Sequence, residues 1–266
     1  MTERLLSLAA GTMLDVEPPR AVEVAATAGF GGVGIWYDPD SWSPRRTRAV
    51  RDALDARGLT ALDIEPVILG RGRDPGDALI DTAAEIGAQH VLVAGGPADP
   101  SAVLDRFAAF CDRAASAGTL VVLEFLPIFP VGTLNAAVRI VEQAARPNGA
   151  ILVDTLHLAR SGGQPTDLRR VPRHRLPYLQ VADAAQEAPQ SMEKFREEAL
   201  HGRLLPGDGA LPLVEVLAEV PQVPLSFELR STALMSGYPD PVERARVVLA
   251  AARRLVRNEA NAKRAC

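Results

Sequence analysis

The stretch LVVLEF at residues 120–125 decides the fold, because it is a short, nearly continuous apolar run that contains a single carboxylate. Such a run is typical of a strand buried on both faces, as in a parallel sheet covered by helices. Seven similar runs occur elsewhere in the chain: LLSLAA (5–10), GVGIWY (32–37), TALDIE (60–65), HVLVAG (90–95), AILVD (150–154), PYLQVAD (177–183) and PLSFEL (224–229). The chain therefore contains eight candidate strands.

The segments between these runs carry the composition and the end signals of helices. PPRAVEVAATAG (18–29) and PSAVLDRFAAFCDRAASAG (100–118) are rich in alanine, begin with proline and end in glycine. Proline fits the first turn of a helix, and glycine fits the position just past its end. Eight strands alternating with helices in 266 residues predict an α/β fold, a single-domain (β/α)8 TIM barrel over residues 1–258, with a disordered C-terminal tail at 259–266.

An open, doubly wound sheet is the main alternative fold. It would need a glycine-rich, phosphate-binding turn directly after an early strand. The glycine-rich segment GFGGVG (29–34) instead precedes its strand. We therefore expect a closed barrel without a dinucleotide site.

The composition excludes several classes of partner. The net charge of −4 gives no basic face for nucleic acid, and no apolar run approaches the roughly 18 residues that a membrane span requires. The two cysteines, Cys111 and Cys266, predict neither a disulfide nor a zinc site with paired cysteine ligands. We expect a cytoplasmic protein with a small-molecule substrate. Because barrels of this kind commonly pair, a homodimer is the assembly we consider, although the sequence leaves the oligomeric state open.

Polar side chains stand at the carboxyl ends of the predicted strands, where (β/α)8 enzymes build their active sites. The set comprises Glu65, Glu124, Asp154, Gln180, Asp183 and Glu228. Several carboxylates at one barrel mouth repel one another unless a cation lies among them. Oxygen ligands of this kind favour Mn2+ or Mg2+, with Co2+ or Zn2+ as less preferred ions. The sequence therefore predicts one bound divalent metal ion.

Five segments together resemble a known family. They are EFLP (124–127), VDTLHLARSGG (153–163), LQVAD (179–183), HGRLLPGDG (201–209) and SFELRS (226–231). In this order they resemble the xylose-isomerase-like superfamily of sugar phosphate isomerases and epimerases, from about the third strand to the end of the chain. That superfamily also contains hydroxypyruvate isomerases, inosose-processing enzymes, 3-dehydroshikimate dehydratases and endonuclease IV. The chain has only four histidines, too few for the multi-metal site of the nucleases.

The resemblance implies roles for individual residues. The implied metal ligands are Glu124, Asp154, Gln180 and Glu228. The two glutamates of this set would also serve as catalytic acid and base. The implied substrate-binding residues are His157 and Arg203, and the strand pattern adds Glu65. Gln180 stands where many members carry a histidine, and some branches, including the dehydratases, carry glutamine there.

Structural roles compete with three of these assignments. Asp154 stands where it could cap the following helix. Gln180 could be an ordinary buried amide, and Glu228 could be an ion-pair partner of Arg230.

Three functions fit the pattern of residues. The first is a metal-dependent isomerase or epimerase of a small, sugar-like hydroxy-carbonyl compound, which would transfer a proton through an enediolate by means of two carboxylates. The second is a lyase, for example a dehydratase of the 3-dehydroshikimate type, on the same scaffold. Gln180 and the LPGDG segment (205–209) favour this second function over a ketose epimerase. The third is a barrel without catalysis that acts as a binding subunit.

Overall fold

Eight parallel strands close into a barrel in sequence order, and the last strand pairs with the first. The structure is a computed structural model that describes residues 4–71 and 74–265. The strands are β1 (Leu6–Leu8), β2 (Gly32–Trp36), β3 (Thr60–Ile68), β4 (His90–Ala94), β5 (Leu120–Glu124), β6 (Gly149–Asp154), β7 (Leu179–Val181) and β8 (Leu225–Phe227). Each coincides with one of the predicted runs, so the (β/α)8 prediction is confirmed.

Helices cover the outside of the barrel. They are α1 (Pro18–Ala28), α2 (Pro44–Arg57), α3 (Gly76–Ile86), α4 (Pro100–Ala114), α5 (Leu134–Ala144), α6 (Thr155–Arg160), α7 (Met192–His201), α8 (Leu213–Glu219), α9 (Thr232–Gly237) and α10 (Pro241–Ala265). No helix among the described residues is both long enough and apolar enough to cross a membrane.

The predicted end signals are found at the helix termini. Pro18 and Pro100 begin α1 and α4, and the Asp99 carboxylate accepts hydrogen bonds from the first backbone amides of α4. Gly29 follows α1 with φ at 98°, a left-handed conformation that glycine adopts without a steric cost. These local signals fix where each helix starts and stops.

Side chains fill the lower part of the barrel interior. A small inner cluster consists of Leu62, Leu92, Val122, Ala150, Leu152 and Tyr178, and a much larger cluster packs between the sheet and the helices. The interior is therefore a packed core and not a channel. The end of the barrel at the carboxyl termini of the strands is not filled in this way and contains a cavity.

β3 is the irregular strand. Its register with β2 shifts after Val33, and its register with β4 shifts after Ile64. Asp63 lies opposite Gly34, and a β-carbon at Gly34 would stand 2.5 Å from the Asp63 carboxylate. This close approach requires glycine at position 34.

The end of the chain differs from the expected disordered tail. Residues 259–265 continue α10 without a break. Glu259 is buried, pairs with Arg4 at 3.3 Å and also contacts Lys263 one turn later. The ion pair between Glu259 and Arg4 connects the end of α10 to the start of the chain beside the barrel. The sequence of the tail did not indicate this contact. Cys266 lies outside the described residues.

His90 at the bottom of the barrel provides a test of the packed interior. Its Nδ1 lies 2.7 Å from the carbonyl oxygen of Leu62, its ring packs on Tyr178, and burial lowers its pKa from 6.5 to about 4. The folded state therefore favours the neutral imidazole. Above pH 6.5 the imidazole is neutral in both the folded and the unfolded state. As the pH falls from 6.5 towards 4, protonation of His90 in the unfolded state lowers the free energy of unfolding by up to about 3 kcal/mol.

We expect His90→Gln to lose less stability than the wild type between pH 6.5 and pH 4. Urea unfolding of both proteins at the two pH values measures the difference, and all other titrating groups are shared. An equal loss in the two proteins would contradict a neutral, buried His90.

Candidate active site

A cavity opens at the carboxyl ends of the strands. Its polar wall contains Glu65, Glu124, His157, Arg203, Glu228 and Arg230. Glu124 and Asp154 are the last residues of β5 and β6, and Glu228 directly follows β8. Because the strands are parallel and the barrel is closed, residues far apart in sequence meet here. The mouth of the barrel is therefore the candidate active site.

Asp154 has two functions at this mouth. Its Oδ1 accepts hydrogen bonds from the backbone amides of Leu156 and His157, so it caps α6. Its Oδ2 lies 2.5 Å from Nη1 of Arg203. Burial alone would raise the pKa of Asp154, but Arg203 and the other donors outweigh burial and hold that pKa below its usual value. The alternative of a helix cap is thus correct, and the same carboxylate also belongs to the site.

Arg203 links two of the carboxylates. Its Nη2 lies 2.9 Å from Oε2 of Glu228, and its Nε donates to the carbonyl oxygen of Ala199 in α7. The guanidinium is almost fully buried. Glu228 therefore pairs with Arg203, not with Arg230. Burial raises the pKa of Glu228 even though Arg203 opposes that shift.

Glu124, Asp154 and His157 form a group that could hold a metal ion. One ligand atom from each lies within 4.8 Å of the others, and all three residues are buried. The Nε2 atom of His157 is 3.8 Å from Oε1 of Glu124. Burial lowers the pKa of His157 to about 4, so its imidazole is neutral, which is the form that binds metals. Burial, followed by the charges of Glu228 and Asp154, raises the pKa of Glu124 well above its usual value.

Gln180 and Glu65 form a second pair beside this group. Nε2 of Gln180 donates to Oε2 of Glu65 at 3.3 Å. Oε1 of each side chain is buried without a hydrogen-bond partner among the described residues. Burial, followed by the charge of Asp63, raises the pKa of Glu65 well above its usual value. These oxygens would be satisfied by a cation or by polar atoms of a substrate.

The donor set as a whole fits a divalent cation. Four buried carboxylates converge here, from Glu65, Glu124, Asp154 and Glu228, against one fully buried guanidinium. Such an excess of negative charge in a buried site is costly unless positive charge balances it. His157, which the resemblance assigned to the substrate, lies in the group that could bind the ion. Gln180 and Glu228 have Glu65 and Arg203 as their partners, and their role as ligands stays a prediction.

Asp183, which follows β7 and was expected at the barrel mouth, has a structural role. Its carboxylate accepts hydrogen bonds from the backbone amides of Gly207, Gly209 and Leu211. It therefore holds the PGDG turn (206–209) in place. The carboxylate is occupied by backbone donors and does not line the central cavity.

Two polar residues that interact with the site or line its cavity were not predicted as site residues from the sequence. Asp63 is fully buried against Gly34, and burial raises its pKa to about 7. Arg230 lines the cavity. The sequence contained a signal for both residues. Asp63 is two residues from Glu65, Arg230 is two residues from Glu228, and alternate residues of extended backbone share a face.

The family follows from comparison with known proteins. Residues 22–253 match the model of the xylose isomerase-like TIM barrel family. The chain belongs to that family. Among curated members, 3-dehydroshikimate dehydratases of Pseudomonas aeruginosa and Pseudomonas putida are 28% and 26% identical to it over 230 residues. These alignments cover 79% of the chain but only 36% of each relative, so the chain spans about a third of their length.

Several solved structures share the fold of this chain. The IOLI protein with a bound zinc atom has a TM-score of 0.79 at 16% identity, covering 96% of this chain and 99% of that one. A fusion of a xylose isomerase-like TIM barrel with a 4-hydroxyphenylpyruvate dioxygenase has a TM-score of 0.77 at 23% identity, covering 94% and 42%. D-allulose 3-epimerase from Methylomonas has a TM-score of 0.68 at 18% identity, covering 96% and 99%. Proteins similar to this chain in sequence or in fold thus include both dehydratases and an epimerase.

Gly11 provides a test of how tightly the site is packed. A β-carbon at position 11 would overlap the Glu228 carboxylate, whereas one at Gly237 would have no atom within 4 Å. We expect Gly11→Ala to lower the free energy of unfolding by about 1–3 kcal/mol, because Glu228 must move within a buried site. Gly237→Ala is the matched control and should be neutral or slightly stabilising. Urea unfolding measures both, and equal stabilities would show that Glu228 is free to move.

Proposed function

We propose that this chain is a divalent-metal-dependent lyase that removes a proton from the carbon beside a carbonyl group of a small hydroxy-carbonyl compound and eliminates water from it. The observation that carries the proposal is the convergence of Glu124 and Glu228, both buried and with raised pKa values, on one cavity beside Asp154 and His157. The names of the curated relatives support dehydration as the outcome. They are longer proteins, and the proposal concerns the chemistry of the barrel alone.

The two glutamates supply the proton transfers. One carboxylate accepts the proton from the carbon beside the carbonyl, and the electron pair of that C–H bond forms a C=C bond as the C–O bond on the next carbon breaks. The other carboxylic acid donates its proton, so that the hydroxyl leaves as water. A raised pKa suits both tasks, because it makes an ionised carboxylate a stronger base and favours the protonated form of the carboxyl group that acts as the acid.

Neighbouring residues orient these groups. Arg203 fixes Glu228 and Asp154 relative to each other, and neutral His157 stands beside Glu124. The ligands that we propose for the ion are Glu124, Asp154, Gln180 and Glu228, with His157 as a further candidate. When bound, a divalent cation such as Mn2+ or Mg2+ supplies polarisation of the substrate carbonyl.

An isomerase or epimerase is the second candidate. It would use the same first proton transfer, but the proton would return to another atom or to the other face of the same carbon. The presence of two buried glutamates in one cavity favours it, because one could remove the proton and the other return it. The outcome then depends on whether the substrate carries a leaving group beside the reacting carbon.

The test is a product analysis of the purified chain incubated in turn with Mn2+, Mg2+, Co2+ and Zn2+. With 3-dehydroshikimate we expect a rise in ultraviolet absorbance, because loss of water conjugates the ring. We expect Glu124→Gln and Glu228→Gln to lower the rate by about 100-fold or more. Glu142→Gln, an exposed change on α5, is the control and should leave the rate unchanged.

Other outcomes decide between the candidates. Exchange of deuterium from solvent into keto-sugars without a new chromophore would favour the isomerase. Metal analysis of Asp154→Asn should show less bound ion than the wild type, since the amide carries no charge. A wild-type protein that binds none of the four ions would overturn the metal-dependent mechanism.

A further inference from the structure

A second cavity lies between α8, α10 and the segment that joins α7 to α8. Its volume is about 400 Å³, which is within the range of small-molecule sites. The PGDG turn (206–209), the start of α8 and residues 254–258 of α10 form its walls. It shares no lining residue with the cavity at the barrel mouth. The two cavities are therefore separate sites.

The floor of this second cavity is apolar. Leu213 and Leu255 are almost fully buried beneath it, whereas Leu211 and Val214 line it and stay partly exposed to water. A ligand that covers the exposed part of these side chains gains free energy from the burial of apolar surface. A ligand that matches this floor has an apolar part.

One wall of the cavity is already ordered without a ligand. The Asp183 carboxylate accepts hydrogen bonds from the backbone amides of Gly207, Gly209 and Leu211. The backbone of Asp183 also exchanges two hydrogen bonds of 2.9 Å with that of Leu204. Because this wall is fixed in advance, a ligand pays little free energy to order it.

Charged side chains of both signs line the cavity without pairing. Glu215 lies on α8, Arg254 and Arg257 lie on α10, and all three are exposed. None of them forms an ion pair or a side-chain hydrogen bond with any residue in the part of the chain that the structure describes. An exposed arginine elsewhere on the surface, Arg113, does pair with the neighbouring helix, through Asp81 at 2.6 Å. The opposite charges of this cavity are thus held apart on two helices.

This distribution of charge selects the kind of ligand. A purely anionic molecule would be attracted by the two arginines but repelled by Glu215, and a purely cationic molecule would meet the reverse. A molecule that carries both charges is attracted by all three side chains. Guanidinium groups also bind carboxylates through paired hydrogen bonds. Asn258, which lines the cavity beside the arginines, adds an amide donor and acceptor.

We propose that this cavity binds a small zwitterion with an apolar side chain, of which an amino acid is the simplest example. The carboxylate of the ligand binds to Arg254 and Arg257, its ammonium group to Glu215, and its side chain covers Leu211 and Val214. This site is separate from the mouth of the barrel, so the inference goes beyond the proposed function and does not rest on it.

The experiment compares a zwitterion with two molecules that each lack one of its charges. Calorimetry measures the binding of L-phenylalanine, 3-phenylpropionate and 2-phenylethylamine to the full chain. We expect the wild type to bind L-phenylalanine about 10-fold or more tightly than either of the others, because each of them loses one charged contact.

Substitutions on each side of the cavity give opposite signatures. Glu215→Gln should weaken the binding of L-phenylalanine about 5-fold or more and strengthen that of 3-phenylpropionate, because it removes both the partner of the ammonium group and the repulsion of the anion. Arg254→Gln and Arg257→Gln should weaken the binding of both. Arg253→Gln is the matched control, since it is an exposed change on α10 outside the cavity, and it should behave as wild type.

Several results would overturn the inference. They are equal affinity of the wild type for the three molecules, no binding of L-phenylalanine at about 10 mM, or binding that the Glu215 and arginine substitutions leave unchanged. Tighter binding of 3-phenylpropionate than of L-phenylalanine would show a site for anions instead. L-phenylalanine binding that is lost in Glu124→Gln but kept in Glu215→Gln would place the ligand at the mouth. Circular dichroism checks that each variant is folded.

Discussion

The mouth of the barrel depends on one buried arginine. The guanidinium of Arg203 lies between the carboxylates of Asp154 and Glu228, and all three groups are almost entirely removed from water. Buried ion pairs of this kind add little net stability compared with apolar packing, but removal of one member leaves an uncompensated charge. The arginine therefore acts as an organiser. It ties α6, through the cap formed by Asp154, to the segment that follows β8.

This arrangement sets the charge of the site and hence its chemistry. Burial, together with repulsion among the carboxylates, raises the pKa values of Glu65 and Glu124, and burial raises that of Glu228, whereas Arg203 and other donors hold the pKa of Asp154 below its usual value. The same set can bind a divalent cation and transfer protons. Both candidate reactions, dehydration and epimerisation, need both abilities, so these residues do not distinguish between them.

The sequence predicted the barrel correctly because the signals for strands and helix ends are local. Continuous apolar runs such as LVVLEF and the proline and glycine signals around α1 and α4 act within a few residues, and each was found in place. The end of the chain was different. The helix continues to Ala265, and within it Glu259 pairs with Arg4, a partner 255 residues away that no local pattern indicates.

The sequence by itself determined the barrel and the carboxylates at the ends of its strands, since continuous apolar runs mark buried parallel strands and the polar residues that end them lie at one end of the barrel. Only the tertiary structure decided which side chains meet. Glu228 pairs with Arg203 instead of Arg230, His157 joins Glu124 and Asp154, and Gln180 bonds to Glu65. The physical reason is that these contacts cross the barrel or come from its loops. Their distances are set by closure of the sheet and by loop paths, which local periodicity does not encode.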